Sequence, residues 1–538
     1  VTEASSTDRS SDRTAARGPG WRACLGTGAG AFAIVLAWLW LLPDLAPWGD
    51  ALRFVVEADA IDGYSLFGNH VGQRIGLHLA VPLGDALGLS GEASARWLSM
   101  LGMAGGLGLA AATARSLGAS ATACVGWAAV LGASPSVALL GTITEVHGVQ
   151  LFASALALAL LVATRDAGGP TRWGVALLAL ALATIGHTSQ IVLAAPIFAF
   201  VALRRGRPAQ VALAAVLCAA LVGAIGWTAM GFFERVGPDG YEGTWRPLYV
   251  LGRYSSIVLE MRARSGWFGP LAMVEFTWTE VVLTGGAAWV ALFGLRAARS
   301  GADSDAGGNA DGDAGGGSHD TGARAWLAVP IGLVAYLAVL SQVGIHERGA
   351  YFLALFPWLV AVGARLPKLV PFALLLVQVP LGLAAVFHDA ERADPRDWQA
   401  GLVAALEEGE LSLPLTLYTS DMVRHSAIGF QQARTDPDAV VVADMWYFRF
   451  EWVPERAWDA VLGPEKDAAF EQDFARGRVF LDAQCLPDED GDGAPWQRWT
   501  AAYLERGGYT LRPIPWPASA DEPPSDALER GFLYEVVR

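Results

Sequence analysis

The apolar runs of bilayer length constrain this chain more than any other feature. Residues 23–42 contain no charged side chain, and about twenty such residues span a hydrocarbon core of roughly 30 Å as a helix. Further runs follow at 95–114, 121–141, 147–164, 173–188, 190–203, 210–231, 274–297, 325–343, 350–365 and 367–387, which makes eleven candidate spans. The first run is too long for a signal-peptide core and has no convincing cleavage site, so it reads as a first transmembrane helix. Composition agrees: 53% of the 538 residues are hydrophobic and 17% charged, against about 25% charged in an average soluble protein. A mainly α, polytopic helical membrane protein is expected, and disordered, fibrous and disulfide-rich classes are excluded.

Charge divides the chain. The net charge of −15 falls almost wholly on residues 390–538, with 14 Lys and Arg against 28 Asp and Glu, whereas the first 389 residues are nearly neutral. That acidic segment mixes strand-like runs (LPLTLYTS, AVVVADMW, GRVFLDA) with helical ones (DWQAGLVAALEEG, PWQRWTAAYLERGG). It reads as an extramembrane α/β domain over 389–538. An acidic surface repels phosphate backbones, so a nucleic-acid partner is excluded. Residues 1–22, with Arg9, Arg13, Arg17 and Arg22, read as a cytoplasmic tail, 43–94 as a first external loop, and the span region as 23–388. The Gly/Asp/Ala/Ser tract within 298–324 cannot bury a core and reads as a flexible cytoplasmic loop.

Basic residues orient the spans. Counting from an inside N-terminus, cytoplasmic ends carry Arg115, Arg165, Arg172, Arg204, Arg205, Arg207, Arg296, Arg299, Arg324, Arg365 and Lys368. The opposite short loops at 142–147 and 186–190 carry none, and 344–349 carries only Arg348. This is the positive-inside bias, and eleven crossings put the C-terminal domain outside.

Ionisable residues near a bilayer must be solvated, paired or used. The alternation sends a set of them to one face: Asp50, Glu57, Asp59, Asp62, His70 and His78, then Glu145 and His147, then His187, and finally His346, Glu347 and Arg348. Each has a plain structural reading. Asp50 fits a solvated acid or helix cap, Glu145 and His147 a cap of the next helix, His187 an interhelical histidine, and Arg348 a snorkelling interfacial cation. Each also has a chemical reading. A carboxylate at Asp50 suits a general base toward a hydroxyl, and the guanidinium fork of Arg348 suits a phosphate. Other motifs are weak. DEDGDG at 488–493 has calcium-loop spacing, but its twelfth position is Trp499 rather than Glu. No phosphate-binding Gly loop, GxSxG elbow or HExxH is present, and the four cysteines form no disulfide or metal pattern.

Taken in order, several segments resemble the GT-C superfamily of polytopic glycosyltransferases, particularly a bacterial family of unknown function related to protein O-mannosyltransferases. WGD with Phe54 resembles the acidic motif of that family's first external loop. His70 with GQRIGLHLAVPLG resembles its His-Pro-Pro-Gly-Tyr-Pro stretch and the helix after it. TEVHG at 144–148, IGHTSQIVLAAP and HERGAYFLALFPW are similar to its Glu-Val-Tyr, Gly-(Asn/His)-His and Arg-containing Tyr-Phe segments. LYTSD and DPDAVVVAD are similar to two strands of its extramembrane domain. The family's second acid falls at Arg53, and its Pro-Pro at Val71-Gly72.

The resemblance implies transfer of a sugar from a polyprenyl-phosphate carrier to a protein or glycan acceptor at the outer face of a bacterial inner membrane, by an inverting reaction. It implies Asp50 as base, with Arg348 and His346 at the departing phosphate. His70, Glu145, His147, His187 and Glu347 are implied to line the substrate pocket. No metal ligands are assigned, although some members of the family use a divalent cation. A lipid-linked-glycan flippase and an inactive scaffold of the same fold are the alternative readings.

Overall fold

A computed structural model describes residues 19–45, 51, 54, 71–165, 169–194, 196–197, 270–282, 329–338, 340–341, 347–390, 395–412, 415–420, 441–445, 450, 455–488, 491–520, 523 and 531–538. Its apolar part contains α1 (Trp21–Leu41), α2 (Val71–Ala86), α3 (Gly91–Ser116), α4 (Ala121–Gly132), α5 (Pro135–Thr142), α6 (His147–Ala163) and α7 (Gly169–Gly186). After a 3-10 turn at Thr188–Leu193 come α8 (Pro270–Thr277), a π turn at Trp278–Val282, and α9 (Val329–Ala338). A second 3-10 turn, Ala350–Leu355, leads into α10 (Phe356–Gly363) and α11 (Val370–Ala390).

Local chemistry sets several boundaries. Ser90, Ser120 and Ser134 each accept a backbone N–H from the residue three further on, capping α3, α4 and α5. Glu92 in the first turn of α3 and Arg115 in its last complement the helix dipole. Close approach is bought with small residues: a Cβ on Gly28 of α1 would stand 2.9 Å from the carbonyl oxygen of Gly108 in α3. Three described helices, α1, α3 and α11, are long and apolar enough to cross a membrane, and α4 with α5 add a fourth if counted as one bent span. The outward faces of α1 and α11 expose Leu25, Trp40, Leu41, Phe372, Leu376 and Phe387, apolar surface that lipid would cover.

The structure corrects the expected spans in three places. The run 121–141 is two helices bent by 67°. Ser134 caps the second and Pro135 opens it, which breaks the ladder between them. The loop 43–94 contains α2, a sixteen-residue helix with Pro82 inside it. The run 350–365 begins as a 3-10 turn rather than an α-helix. Of the eleven candidates, 210–231 lies outside the described residues, and 190–203, 274–297 and 325–343 are described only in part.

The C-terminal segment contributes α12 (Pro395–Glu407), β1 (Leu415–Thr419), β2 (Val441–Met445), α13 (Trp458–Arg476), β3 (Arg478–Asp482), α14 (Pro495–Arg506), β4 (Thr510–Ile514) and β5 (Leu533–Val537). The strands form one sheet in the order β2-β1-β3-β5-β4, parallel across the first three and antiparallel across the last three. Alternation along β1 and β3 feeds two cores. Leu415, Leu417 and Phe480 pack with Trp398 and Leu402 of α12. Tyr418, Val479 and Leu481 pack with Leu462 and Phe470 of α13 and Leu504 of α14.

Candidate functional site

Two hydrogen bonds of one serine hydroxyl place the TEVHG segment. Ser99 of α3 donates its Oγ–H to the carbonyl of Glu145 at 2.8 Å and accepts the Glu145 N–H at 2.9 Å. Gly148 makes that approach possible, because a Cβ there would lie 2.4 Å from the Ser99 carbonyl oxygen. The Glu145 carboxylate accepts the N–H of Val146, the residue before α6, at 2.9 Å. His147 then points its Nδ1 at Gln150 Oε1, 2.5 Å away, and its Nε2 at two carboxylates. These are Glu347 at 3.4 Å and Glu145 at 3.9 Å. Both ring nitrogens thus face acceptor oxygens, an arrangement that an imidazolium satisfies with two N–H donors.

His187 lies at the end of α7, in extended conformation, and caps the 3-10 turn that follows by accepting the Ser189 N–H on Nδ1 at 3.1 Å. That bond leaves the neutral ring its proton on Nε2. The ring stands 5.7 Å from His147 and 5.6 Å from Tyr351, and the His147–Tyr351 separation is 5.9 Å, so the three rings form a triangle. Tyr351 donates its hydroxyl to Glu347 Oε1 at 3.0 Å, and its carbonyl accepts from Gln150 Nε2 at 3.3 Å. Glu145 and His147 are buried, whereas the Glu347 side chain is 35% exposed. Of the two carboxylates on His147, Glu347 is therefore the one that reaches the surface.

The next two residues make a strained turn. Arg348 has φ 51° and Gly349 φ 76°, and Arg348 is the non-glycine residue with positive φ among the described residues. Three elements hold it. Ser136 of α5 donates to the Arg348 carbonyl at 2.6 Å. Glu280 of the π turn accepts the Gly349 N–H at 2.7 Å. Asp389, at the end of α11 and with a side chain 2% exposed, is ion-paired with the Arg348 guanidinium. A left-handed non-glycine residue costs roughly 1–2 kcal/mol and persists when its surroundings over-determine it.

Glu145, His147, His187, Glu347 and Arg348 therefore come from three separate segments to one end of the helix bundle. Arg115 and Arg365 mark the other end: Arg115 donates to the carbonyl of Ala119, and Arg365 to that of Leu117. Along α3, from Ser99 to the Leu117 cap, eighteen residues at a rise of 1.5 Å separate the two ends by roughly 27 Å, close to a bilayer core. Asp50, His70 and His346 lie outside the described residues. Glu280, Asp389, Gln150 and Tyr351 were not singled out from sequence. For the two acids a signal existed, a carboxylate inside or at the end of an apolar run. Among the described residues no group of three or more His, Cys, Asp or Glu is arranged to hold a metal ion.

No protein-family model and no curated protein matches the chain. Among solved structures, the apo oligosaccharyltransferase of Archaeoglobus fulgidus aligns at 14% identity over 86% of this chain and 70% of that one, with a TM-score of 0.45. Apo ArnT from Cupriavidus metallidurans aligns at 14% identity over 95% of this chain and 97% of its own, with a TM-score of 0.36.

Proposed function

We propose that this chain is a GT-C-type membrane glycosyltransferase that moves a sugar from a polyprenyl-phosphate donor to an acceptor hydroxyl at the outer face of a bacterial inner membrane. The observation that carries the reading is the meeting of TEVHG, IGHTSQ and ERGAY, segments more than 150 residues apart at their extremes, at the end of the bundle away from Arg115 and Arg365. These are three of the motifs on which the family resemblance rests. A random scatter of polar residues over an apolar bundle has no reason to bring those three together.

In this reading Asp50 removes the acceptor proton as the hydroxyl attacks the anomeric carbon. The bond from that carbon to the lipid phosphate breaks, and the departing oxygen takes the charge. Arg348 and His346 stabilise that charge, and Asp389 holds the Arg348 guanidinium in place. Glu347, His147 and His187, with His70 and Glu145, shape the sugar and phosphate pocket. Attack from the face opposite the leaving group inverts the anomeric centre. The C-terminal α/β domain lies outside the cell and presents the acceptor, a protein or a glycan.

The test uses full-length protein in proteoliposomes, a radiolabelled undecaprenyl-phosphate sugar and an acceptor extract. The parent transfers label, and Asp50→Asn lowers the rate by about 10²-fold or more. Undiminished transfer by Asp50→Asn rejects Asp50 as base. Movement of labelled lipid across the bilayer without acceptor, and with no transfer, replaces the enzyme reading with transport.

A further inference from the structure

Buried amides left without partners mark where an apolar bundle meets a polar ligand or water. Gln73, Gln190 and Gln378 are each 0% exposed. Neither amide atom of Gln73 or Gln378, nor the carbonyl oxygen of Gln190, has a hydrogen-bond partner among the described residues. Gln190 lies beside the histidine pair, and Gln73 in a helix turn that packs next to it.

Gln190 sits three residues after His187 in the 3-10 turn, where residues i and i+3 lie over one another, and its backbone N–H donates to the His187 carbonyl at 3.0 Å. Its Nε2 donates to the Gln150 carbonyl at 2.6 Å. A carbonyl can only accept, so that bond fixes the amide's orientation and leaves Oε1 as the open position. Gln150 in turn holds His147 Nδ1. Gln73 lies in the first turn of α2. A Cβ on the adjacent Gly72 would stand 2.6 Å from the Ile185 carbonyl oxygen and 2.9 Å from Gly186 Cα. The start of α2 therefore lies backbone-close to the two residues before His187.

The open positions are two carbonyl acceptors and one NH2 donor. A phosphate ester offers acceptors only, so it could take the Gln73 amide protons but would leave both carbonyl oxygens unmet. A sugar hydroxyl both donates and accepts, and adjacent hydroxyls on one ring can serve both carbonyls and the NH2. We infer that Gln73 and Gln190 read the hydroxyls of the donor's sugar ring, beside the His147–His187 pair, and so set which sugar the enzyme accepts. The inference rests on the proposed glycosyltransferase reading. Gln378 supplies an internal control. It lies in α11, where Gly382 one turn later packs on the Ala133 carbonyl, in the helix packed against α4 and α5 rather than α6 and α7.

The test measures binding of full-length protein in nanodiscs to bare undecaprenyl phosphate and to the same lipid carrying mannose, glucose, galactose or N-acetylglucosamine. The parent binds one sugar-bearing lipid more tightly than the bare lipid. Gln73→Met and Gln190→Met each weaken that sugar lipid about three- to tenfold and leave the bare lipid unchanged, while Gln378→Met alters neither. Equal weakening of both lipids, or of neither, overturns the inference and assigns the amides to buried water. A parent that binds none of these lipids overturns the glycosyltransferase reading itself. Should the Met variants melt below the parent, the same pattern is read on Gln73→Asn and Gln190→Asn, which keep the amide and withdraw it by one methylene.

Discussion

Gly148→Ala is the substitution whose effect the structure specifies most closely. The added methyl carbon would sit 2.4 Å from the Ser99 carbonyl oxygen and 2.8 Å from Ser99 Cα, against 3.4 Å where ordinary contact begins. Both nearest atoms are backbone, so no side chain can swing aside, and α6 must retreat from α3 by about 1 Å. The two Ser99–Glu145 hydrogen bonds, now 2.8 and 2.9 Å, would stretch beyond hydrogen-bonding range. Overpacking costs about 1–3 kcal/mol and the two bonds about 0.5–1.5 kcal/mol each, a total of roughly 2–6 kcal/mol. A displacement of about 1 Å at Glu145 and His147 also costs about 10²-fold in rate. Gly174→Ala is the control, because nothing lies within 4 Å of its Cβ position, and an exposed helical alanine is worth about 0.5–1 kcal/mol over glycine. Thermal melting in detergent and sugar transfer in proteoliposomes are read on both. If Gly148→Ala matches Gly174→Ala in both assays, the backbone contact does not organise the site.

Other outcomes follow from the same structure. Arg348→Ala and Asp389→Ala should be strongly non-additive, with a coupling of about 1–3 kcal/mol in a double-mutant melting cycle, because removing Arg348 alone strands the buried Asp389 carboxylate, which the double variant no longer has; additive losses refute the pairing. Phe480→Ala, at a fully buried position of β3 in the core shared with β1 and α12, should cost about 3–5 kcal/mol, seen as early loss of protease resistance in the C-terminal domain. In that domain Arg478, with Arg512 beside it, holds the Glu535 carboxyl below its ordinary range, as Arg538 does for Glu471. A depressed carboxylate stabilises the fold above its unfolded pKa of about 4.3 and loses that contribution as pH falls through its folded value. The melting difference between parent and Glu535→Gln should therefore be full at pH 7 and shrink below about pH 4.3; a constant difference contradicts it.

The legible part of the fold was the part written in local pattern. Twenty uncharged residues at 23–42 need a helix in an apolar medium, and α1 occupies Trp21–Leu41; the runs at 147–164 and 367–387 carry α6 and α11 for the same reason. The bend inside 121–141 was also local, since a serine followed by proline both caps and opens a helix, but apolarity on either side concealed it. The site is different in kind. That Glu145, His187 and Glu347 share one end follows from span alternation, yet which atom meets which depends on contacts across 46, 69 and 201 residues. Arg348 shows the consequence. Sequence offered a guanidinium free for phosphate, and the structure gives it Asp389, a carboxylate that α11 delivers only once the bundle is packed.

Cross-linking tests the central claim most directly. In a variant whose four native cysteines are replaced by serine, Asp50→Cys and Arg348→Cys are combined in the full-length protein and treated in sealed, right-side-out vesicles with a short, membrane-impermeant bifunctional thiol reagent. One shared pocket at the outer rim gives an intramolecular cross-link from outside. Labelling of the two cysteines from opposite sides of the membrane, with no cross-link, contradicts the account.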